Sequence, residues 1–194
     1  MKPALSKISN GRPLLLALAI LALAVVVLLA MGRPALCPCG TVRLWQGVVE
    51  SAENSQQILD WYTPSHILHG ILFAGAASLI ARRWAGFRPW ALPVATLIEA
   101  VWEIAENSPM IIDRYRAVTL SWGYSGDSVL NSASDIAAMI GGFLLARRLG
   151  WRWMLPLALA LELVPLAVVR DNLTLNVLML LAPQEAVRRW QAEG

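Results

Sequence analysis

The sequence predicts an all-α protein that crosses a membrane several times as a multi-pass helical bundle. Hydrophobic residues make up 57% of the 194-residue chain and charged residues 15%, whereas soluble domains contain about 45–50% apolar and about 25% charged residues. The mean hydropathy is +0.56. Apolar segments of helical length recur along the chain, and basic residues gather in every second connection between them. These observations together predict one compact membrane domain, residues 1–194.

The first predicted span, residues 13–31, is an unbroken run without a charged side chain. It is long enough to cross a hydrocarbon core of about 30 Å. It also exceeds the roughly 7–15 apolar residues of a signal peptide core, so we expect the segment to be retained. Residues 1–12, with Lys2, Lys7 and Arg12, are the predicted cytoplasmic N-terminal segment.

Five further apolar segments follow, at residues 65–81, 89–106, 128–146, 154–169 and 173–182. The last one gives about 15 Å of helix, half of what a span needs. Six spans are therefore predicted, with five as the alternative. Residues 32–64 are expected to form a periplasmic loop, 65–182 a helical bundle with a polar core, and 183–194 a cytoplasmic tail.

Basic residues in alternate connections predict the orientation of the bundle. They are Arg82, Arg83 and Arg88 after the second span, Arg147, Arg148 and Arg152 after the fourth, and Arg188 and Arg189 after the last. Cytoplasmic connections carry an excess of Lys and Arg, which puts both termini in the cytoplasm. The net charge of +3 then reflects topology, and we expect no nucleic-acid partner.

The third span carries Glu99, Glu103 and Glu106 at spacings of four and three, which places them on one stripe of a helix. Ionised side chains cost roughly 2.5–3.5 kcal/mol each in hydrocarbon, so carboxylates kept there usually face a protein interior and mark a functional site. With the orientation above, neighbouring spans bring further polar side chains to the same outer level. These are His66, His69, Asn131 and Asp135. The sequence thus predicts a periplasm-facing pocket.

The connection at residues 107–127 is polar and is expected to be irregular. It contains Asp113, Arg114 and Asp127, and ends in a Gly-, Trp- and Tyr-containing stretch at residues 121–127. Two interpretations stay open: a lid over the pocket, or a surface loop with an aromatic anchor.

Three hypotheses for the polar cluster stay open. In the first, an enzyme acts on a lipid-linked molecule, with Glu103 and Asp135 as general acid and base. In the second, a small protein binds or transports a proton, a cation or a lipid. In the third, the glutamates only hold helices together by pairing with histidines, Arg114 or Arg116. The catalytic candidates are Glu99, Glu103, Glu106, Asp127 and Asp135; the binding candidates are His66, His69, Asn131, Asp113, Arg114 and Trp102.

The sequence also bears on cofactors and partners. Mixed His and carboxylate ligands suit Zn, Mn or Fe, so His66 and His69 are candidate metal ligands, but they lack the compact His-Glu-x-x-His spacing and no cofactor is assigned. No glycine-rich phosphate loop occurs, so no nucleotide is expected. Membrane lipids are the expected partners, and a homo-oligomer stays open. Cys37 and Cys39 are either free or paired in a disulfide.

Several of these motifs together resemble a family of uncharacterised proteobacterial multi-pass inner-membrane proteins. They are the two histidines, EAVWEIAEN at 99–107, GYSGDS at 123–128, NSASD at 131–135 and Gly141-Gly142. This resemblance spans residues 56–149 and implies an inner-membrane location without a reaction. The same order of motifs looks distantly like the VanZ-like proteins, which are linked with glycopeptide resistance. Asp113-Arg114, Gly126-Asp127 and the NSASD motif at 131–135 also look somewhat like signatures of the lipoprotein signal peptidases, which would make Asp127 and Asp135 a catalytic dyad.

Overall fold

The computed structural model describes residues 11–119 and 123–193, and in those ranges its regular elements are helices. They are α1 (Arg12–Ala30), α2 (Thr63–Arg83), a short 3₁₀ helix (Ala85–Phe87), α3 (Ala91–Glu106), α4 (Pro109–Val118), α5 (Val129–Leu149), α6 (Trp151–Val169), α7 (Leu173–Leu181) and α8 (Glu185–Ala192). The all-α prediction is confirmed. The predictions that concern Lys2, Lys7 and Trp122 lie outside the described residues.

Within the described part of the chain, α1, α2, α5 and α6 are long and apolar enough to cross a membrane. Their outward side chains are apolar: Leu15, Leu79 and Leu163 are 66%, 61% and 57% exposed. Such a surface suits contact with lipid and would be unusual in water. α3 has 16 residues and α7 has nine, so α3 is about 24 Å long and α7 about 13 Å.

Helices α2 and α5 cross at two glycines. A Cβ atom on Gly142 would collide with the carbonyl of Ile67, and one on Gly70 with the carbonyl of Met139, whereas Gly141 has no neighbour within 4 Å. Of the Gly141-Gly142 pair noted in the sequence, Gly142 lies at the close approach of the two helices and Gly141 does not. Apolar side chains of α1, α2, α3 and α5 form the core around this crossing, among them Ala17, Ala74, Leu92, Ile136, Met139 and Phe143.

Residues 31–62, which we call the cap, pack on the N-terminus of α5. The amides of Val129 and Leu130 donate to the carbonyls of Pro34 and Ala35 at 2.8 and 3.2 Å. The Arg33 guanidinium donates to the carbonyls of Ser125, at 2.7 Å, and Asp127. The cap is an ordered structure in which Cys37 and Cys39 form a disulfide, and it fixes the start of α5.

The expectation of irregular structure at residues 107–127 is wrong for Pro109–Val118, which forms α4. Pro109 begins this helix, a position where its missing N–H costs nothing. α4 packs on α7: Arg114 Nη2 donates to the Leu180 carbonyl at 2.8 Å, and the Tyr115 hydroxyl donates to Asn176 Oδ1 at 2.9 Å.

The C-terminal helix α8 returns to the turn between α6 and α7. The Arg170 guanidinium lies 5.4 Å from the centre of the Trp190 ring and donates to the Trp190 carbonyl at 2.6 Å. A sixth span would place these two residues on opposite sides of a core about 30 Å thick. In the described part of the chain four helices are long and apolar enough to cross a membrane, so the counts of six and of five spans and the cytoplasmic tail stay predictions.

Candidate functional site

Three helices bring the predicted acidic and histidine side chains together. The spacing of four places Glu99 and Glu103 on one face of α3, and both are only 1% exposed. His66 of α2 and Asp135 of α5 face them and are 7% and 3% exposed. The site thus lies at the junction of α2, α3 and α5.

Glu99 holds both histidine rings. Its Oε1 lies 2.7 Å from His66 Nδ1, and its two oxygens each lie 3.0 Å from His69 Nδ1. An ionised carboxylate only accepts hydrogen bonds, so the Nδ1 atom of each ring is the donor. This leaves Nε2 of each histidine for other partners.

His66 also faces Glu103 and Asp135. Its Nδ1 lies 3.4 Å from Glu103 Oε1, and its Nε2 lies 3.9 Å from Asp135 Oδ2. Glu103 Oε1 and Asp135 Oδ1 are buried and have no hydrogen-bond partner in the described part of the chain. Unsatisfied buried oxygens are rare in proteins, and each suggests a strained site, an ion or a catalytic role.

Asp127, at the turn before α5, is fixed by two side chains. The Tyr124 hydroxyl donates to its Oδ1 and Asn107 Nδ2 to its Oδ2, both at 2.8 Å. The Asp127 amide in turn donates to Asn107 Oδ1 at 2.7 Å. Burial raises the pKa of the Asp127 carboxyl to about 6, although the two hydrogen bonds to the ionised form work in the opposite direction.

A cavity of about 160 Å³ lies among α2, α3, α4, α5 and α7. Seven predicted site residues line it: His66, His69, Trp102, Glu106, Asp127, Asn131 and Asp135. Leu173 and Val177 of α7 also line the cavity, and with Trp102 they contribute apolar surface. The cavity is therefore amphipathic.

Four predicted site residues do not line this cavity. Glu99 and Glu103 contact His66, which does line it. Asp113 is exposed, with 72% of its side chain accessible, and pairs with Arg116 at 3.7 Å. Arg114 binds the Leu180 carbonyl. The expected pairing of the glutamates with Arg114 or Arg116 is therefore wrong.

Several residues that line the cavity were not predicted from the sequence, among them Tyr62, Tyr115 and Asn176. Tyr62 lies in the segment expected to form a periplasmic loop, and Tyr115 lies in the connection expected to be irregular. Asn176 is the single amide side chain in the apolar α7, and this isolation was a signal that could have identified it.

Several groups of side chains have the composition of metal ligands. In the described part of the chain, their ligand atoms lie within 4.8 Å of one another in four groups: His66, His69 and Glu99; His66, Glu103 and Asp135; Glu103, Glu106 and Asp127; and Cys37, Cys39 and Glu53. The last group has its cysteines in a disulfide, so they offer no thiolate to a metal.

Fold and site together define a class of all-helical proteins with membrane-type apolar helices around a buried Glu, Asp and His centre. The chain belongs to the family described as "Protein of unknown function (DUF2585)", which matches residues 28–193.

Relatives of the same kind occur in several bacteria. A UPF0314 protein of Novosphingobium aromaticivorans is 61% identical over 174 residues, covering 88% of this chain and 87% of the relative. A UPF0314 protein of Sphingopyxis alaskensis is 56% identical over 180 residues, covering 93% and 95%. A third, from Rhizobium meliloti, is 54% identical over 181 residues, covering 92% and 90%. No solved structure matches the chain.

These matches confirm the resemblance to an uncharacterised proteobacterial family. They do not show the likenesses to the VanZ-like proteins and the lipoprotein signal peptidases, which stay predictions.

Proposed function

We propose that this protein is a multi-pass inner-membrane protein whose cavity performs acid–base chemistry on the head group of an envelope lipid or lipid-linked molecule. The observation that carries this proposal is the amphipathic cavity. It sets His66, Glu106 and Asp127 against the apolar surface of Trp102 and Val177. A volume of about 160 Å³ suits a head group, while the apolar side chains suit the start of an acyl or polyprenyl chain.

The proposed topology has five spans, α1, α2, α3, α5 and α6, with the N-terminus in the cytoplasm. The arginines that follow α2 and α5 support this orientation. The cap, α4, α7 and α8 then lie on the periplasmic side, around the mouth of the cavity. The contacts between Arg114 and Leu180 and between Arg170 and Trp190 support this arrangement, because they tie α7 and α8 to elements of that side.

Asp127 and Glu106 are the proposed acid and base. Both line the cavity, and their carboxylate oxygens lie within 4.8 Å of each other. The raised pKa of Asp127, about 6, allows it to gain and lose a proton near neutral pH. The pair first expected, Glu103 and Asp135, is less suitable because Glu103 does not line the cavity.

The test compares envelope lipids in a deletion strain complemented with the wild type, Asp127→Asn, Glu106→Gln or Asp113→Asn. Deletion should make one lipid or lipid-linked species accumulate, and the wild type and the exposed control Asp113→Asn should reverse this. Asp127→Asn and Glu106→Gln should not, because acid–base groups typically contribute 10²–10⁴-fold in rate. An identical lipid profile with and without the gene would exclude the proposal.

Transport of protons or cations is a second candidate. Its support is the continuous series of side chains from His69 through Glu99 and His66 to Glu103, because such chains carry protons in membrane proteins. The test is reconstitution in vesicles that contain a pH-sensitive dye. Flux that is present in the wild type and lost in Glu99→Gln favours transport, and wild-type vesicles without flux exclude it.

A purely structural network is a weaker explanation. It accounts for Glu99, whose oxygens are bonded by both histidines. It does not account for Glu103 Oε1 and Asp135 Oδ1, which are buried and accept no hydrogen bond from the described residues.

A further inference from the structure

We propose that His66, Glu103 and Asp135 bind a divalent transition-metal ion. The three residues come from α2, α3 and α5, and one ligand atom of each lies within 4.8 Å of the others. One imidazole and two carboxylates form a ligand set that suits Zn²⁺, Mn²⁺ or Fe²⁺. This site goes beyond the acid–base chemistry proposed for Glu106 and Asp127.

The unsatisfied oxygens single out this group. Glu103 Oε1 and Asp135 Oδ1 have no hydrogen-bond partner among the described residues. The two residues are only 1% and 3% exposed. An unpaired buried carboxylate oxygen is costly, and coordination to a metal removes that cost. In the group of His66, His69 and Glu99, by contrast, the carboxylate is already bonded by both rings.

His66 is oriented for coordination. Its Nδ1 lies 2.7 Å from Glu99; when Nδ1–H donates there, the neutral ring has its lone pair on Nε2, which lies 3.9 Å from Asp135 Oδ2. Metal-binding histidines usually donate their other ring N–H to a carboxylate, which fixes the tautomer and the ring. Glu99 is therefore a positioning residue for this site.

The local charge also favours a cation. Five carboxylates lie in or beside the cluster: Glu99, Glu103, Glu106, Asp127 and Asp135. The nearby arginines do not pair with them, since Arg33 and Arg114 donate to backbone carbonyls. A divalent ion supplies positive charge where neither arginine does.

The spacing of one pair, His66 and Asp135, is close to that of metal ligands, and Glu103 offers an oxygen within 4.8 Å of the ligand atoms of both. Zn–N and Zn–O bonds of about 2.0–2.2 Å put tetrahedral ligand atoms roughly 3.4 Å apart. The 3.9 Å between His66 Nε2 and Asp135 Oδ2 is wider by about half an ångström. Three protein ligands leave a coordination position open. Because His66 and Asp135 line the cavity, that position would face it.

The first test measures metal content by mass spectrometry. Detergent-purified protein is stripped with a chelator, loaded with Zn²⁺ or Mn²⁺ and freed of excess ion. The wild type should retain about one ion per chain, and the near-isosteric variants Glu103→Gln and Asp135→Asn should lose it. The controls Asp113→Asn and Glu53→Gln, the latter in the group with the disulfide cysteines, should retain it. Retention in both ligand variants would overturn the proposal.

The second test uses the wild type and one positioning variant, so it does not depend on the folding of a ligand variant. Co²⁺ bound at the site should give visible d–d absorption that Zn²⁺ abolishes. The Glu99→Gln variant should show the same spectrum with bound Co²⁺. Its affinity for Co²⁺ should be about 10–100-fold lower, because His66 remains a ligand but its ring is held less firmly. If the wild type binds none of Zn²⁺, Mn²⁺ and Co²⁺, the metal site is excluded. Since no lipid substrate is used, that result leaves the acid–base proposal standing.

Discussion

Asp171 joins the turn after α6 to the start of α2. Its Oδ2 accepts a hydrogen bond from the Tyr62 hydroxyl at 3.4 Å, and its Oδ1 accepts one from the Asn172 amide at 2.9 Å. Burial raises the pKa of this carboxyl from its ordinary 3.8 to about 6. The charged form is thus less favourable in the folded protein than in the unfolded chain.

Asp171→Asn should therefore stabilise the protein in a pH-dependent way. A folded pKa above the unfolded one means that the stability from Asp171 is greatest below pH 3.8 and falls as the pH rises through about 6. The neutral amide avoids this loss, so the Tm of the variant should exceed that of the wild type at about pH 7.5 and not at about pH 4. Thermal unfolding in detergent at both values measures the difference. An equal Tm difference at both values would contradict this assignment.

Gly126 is required at the turn that presents Asp127. Its φ is +86°, and a Cβ atom there would lie 2.5 Å from Arg33 Nη2. Gly126→Ala should lower the free energy of unfolding by about 1–3 kcal/mol, measured by thermal or denaturant unfolding in detergent. Gly123→Ala is the matched control, because no atom of the described residues lies within 4 Å of a Cβ built at that position. Equal effects of the two substitutions would refute a role for the Arg33 contact.

At the scale of elements, the crossing of α2 and α5 holds the site together, because His66 and Asp135 lie on these two helices. Gly142→Ala should destabilise the fold by about 1–3 kcal/mol, since the added methyl group meets the Ile67 backbone and not a flexible side chain. Gly141→Ala, on the neighbouring residue, should be neutral or slightly stabilising. The difference in Tm between the two variants measures the effect, and equal Tm values would contradict the close approach.

The helices differ in how well they can be predicted from the sequence. The long apolar runs located α1, α2, α5 and α6 to within a few residues, because burial or lipid contact requires continuous apolar sequence. α4 was missed because Asp113, Arg114 and Arg116 interrupt its apolar residues. Helical spacing correctly grouped Glu99 with Glu103, since that is a local property. The partners of Arg114 and Tyr115 lie more than 60 residues away in the chain, and no local pattern encodes such pairs.

At the scale of the whole molecule, the proposed topology of five spans would place the C-terminus in the periplasm. Alkaline phosphatase fused to the C-terminus should therefore be active, and green fluorescent protein at the same position should be dark. Fusions after Arg88, in the arginine-rich connection between α2 and α3, provide the opposite control. A fluorescent C-terminal fusion would instead favour six spans. In that topology α8 could not contact Arg170 as it does in this structure.

The bond between Arg33 and Asp127 also constrains how the protein is made. The two residues are separated by 94 positions, and α2, α3 and α4 are synthesised between them. In the proposed topology the cap would therefore cross the membrane early, and Arg33 could bond the Asp127 carbonyl only after the chain has been synthesised through that residue. In that topology, a chain that stops before Asp127 would leave the cap on the periplasmic side without this bond, and we expect proteases to cleave such a chain more readily than the complete one.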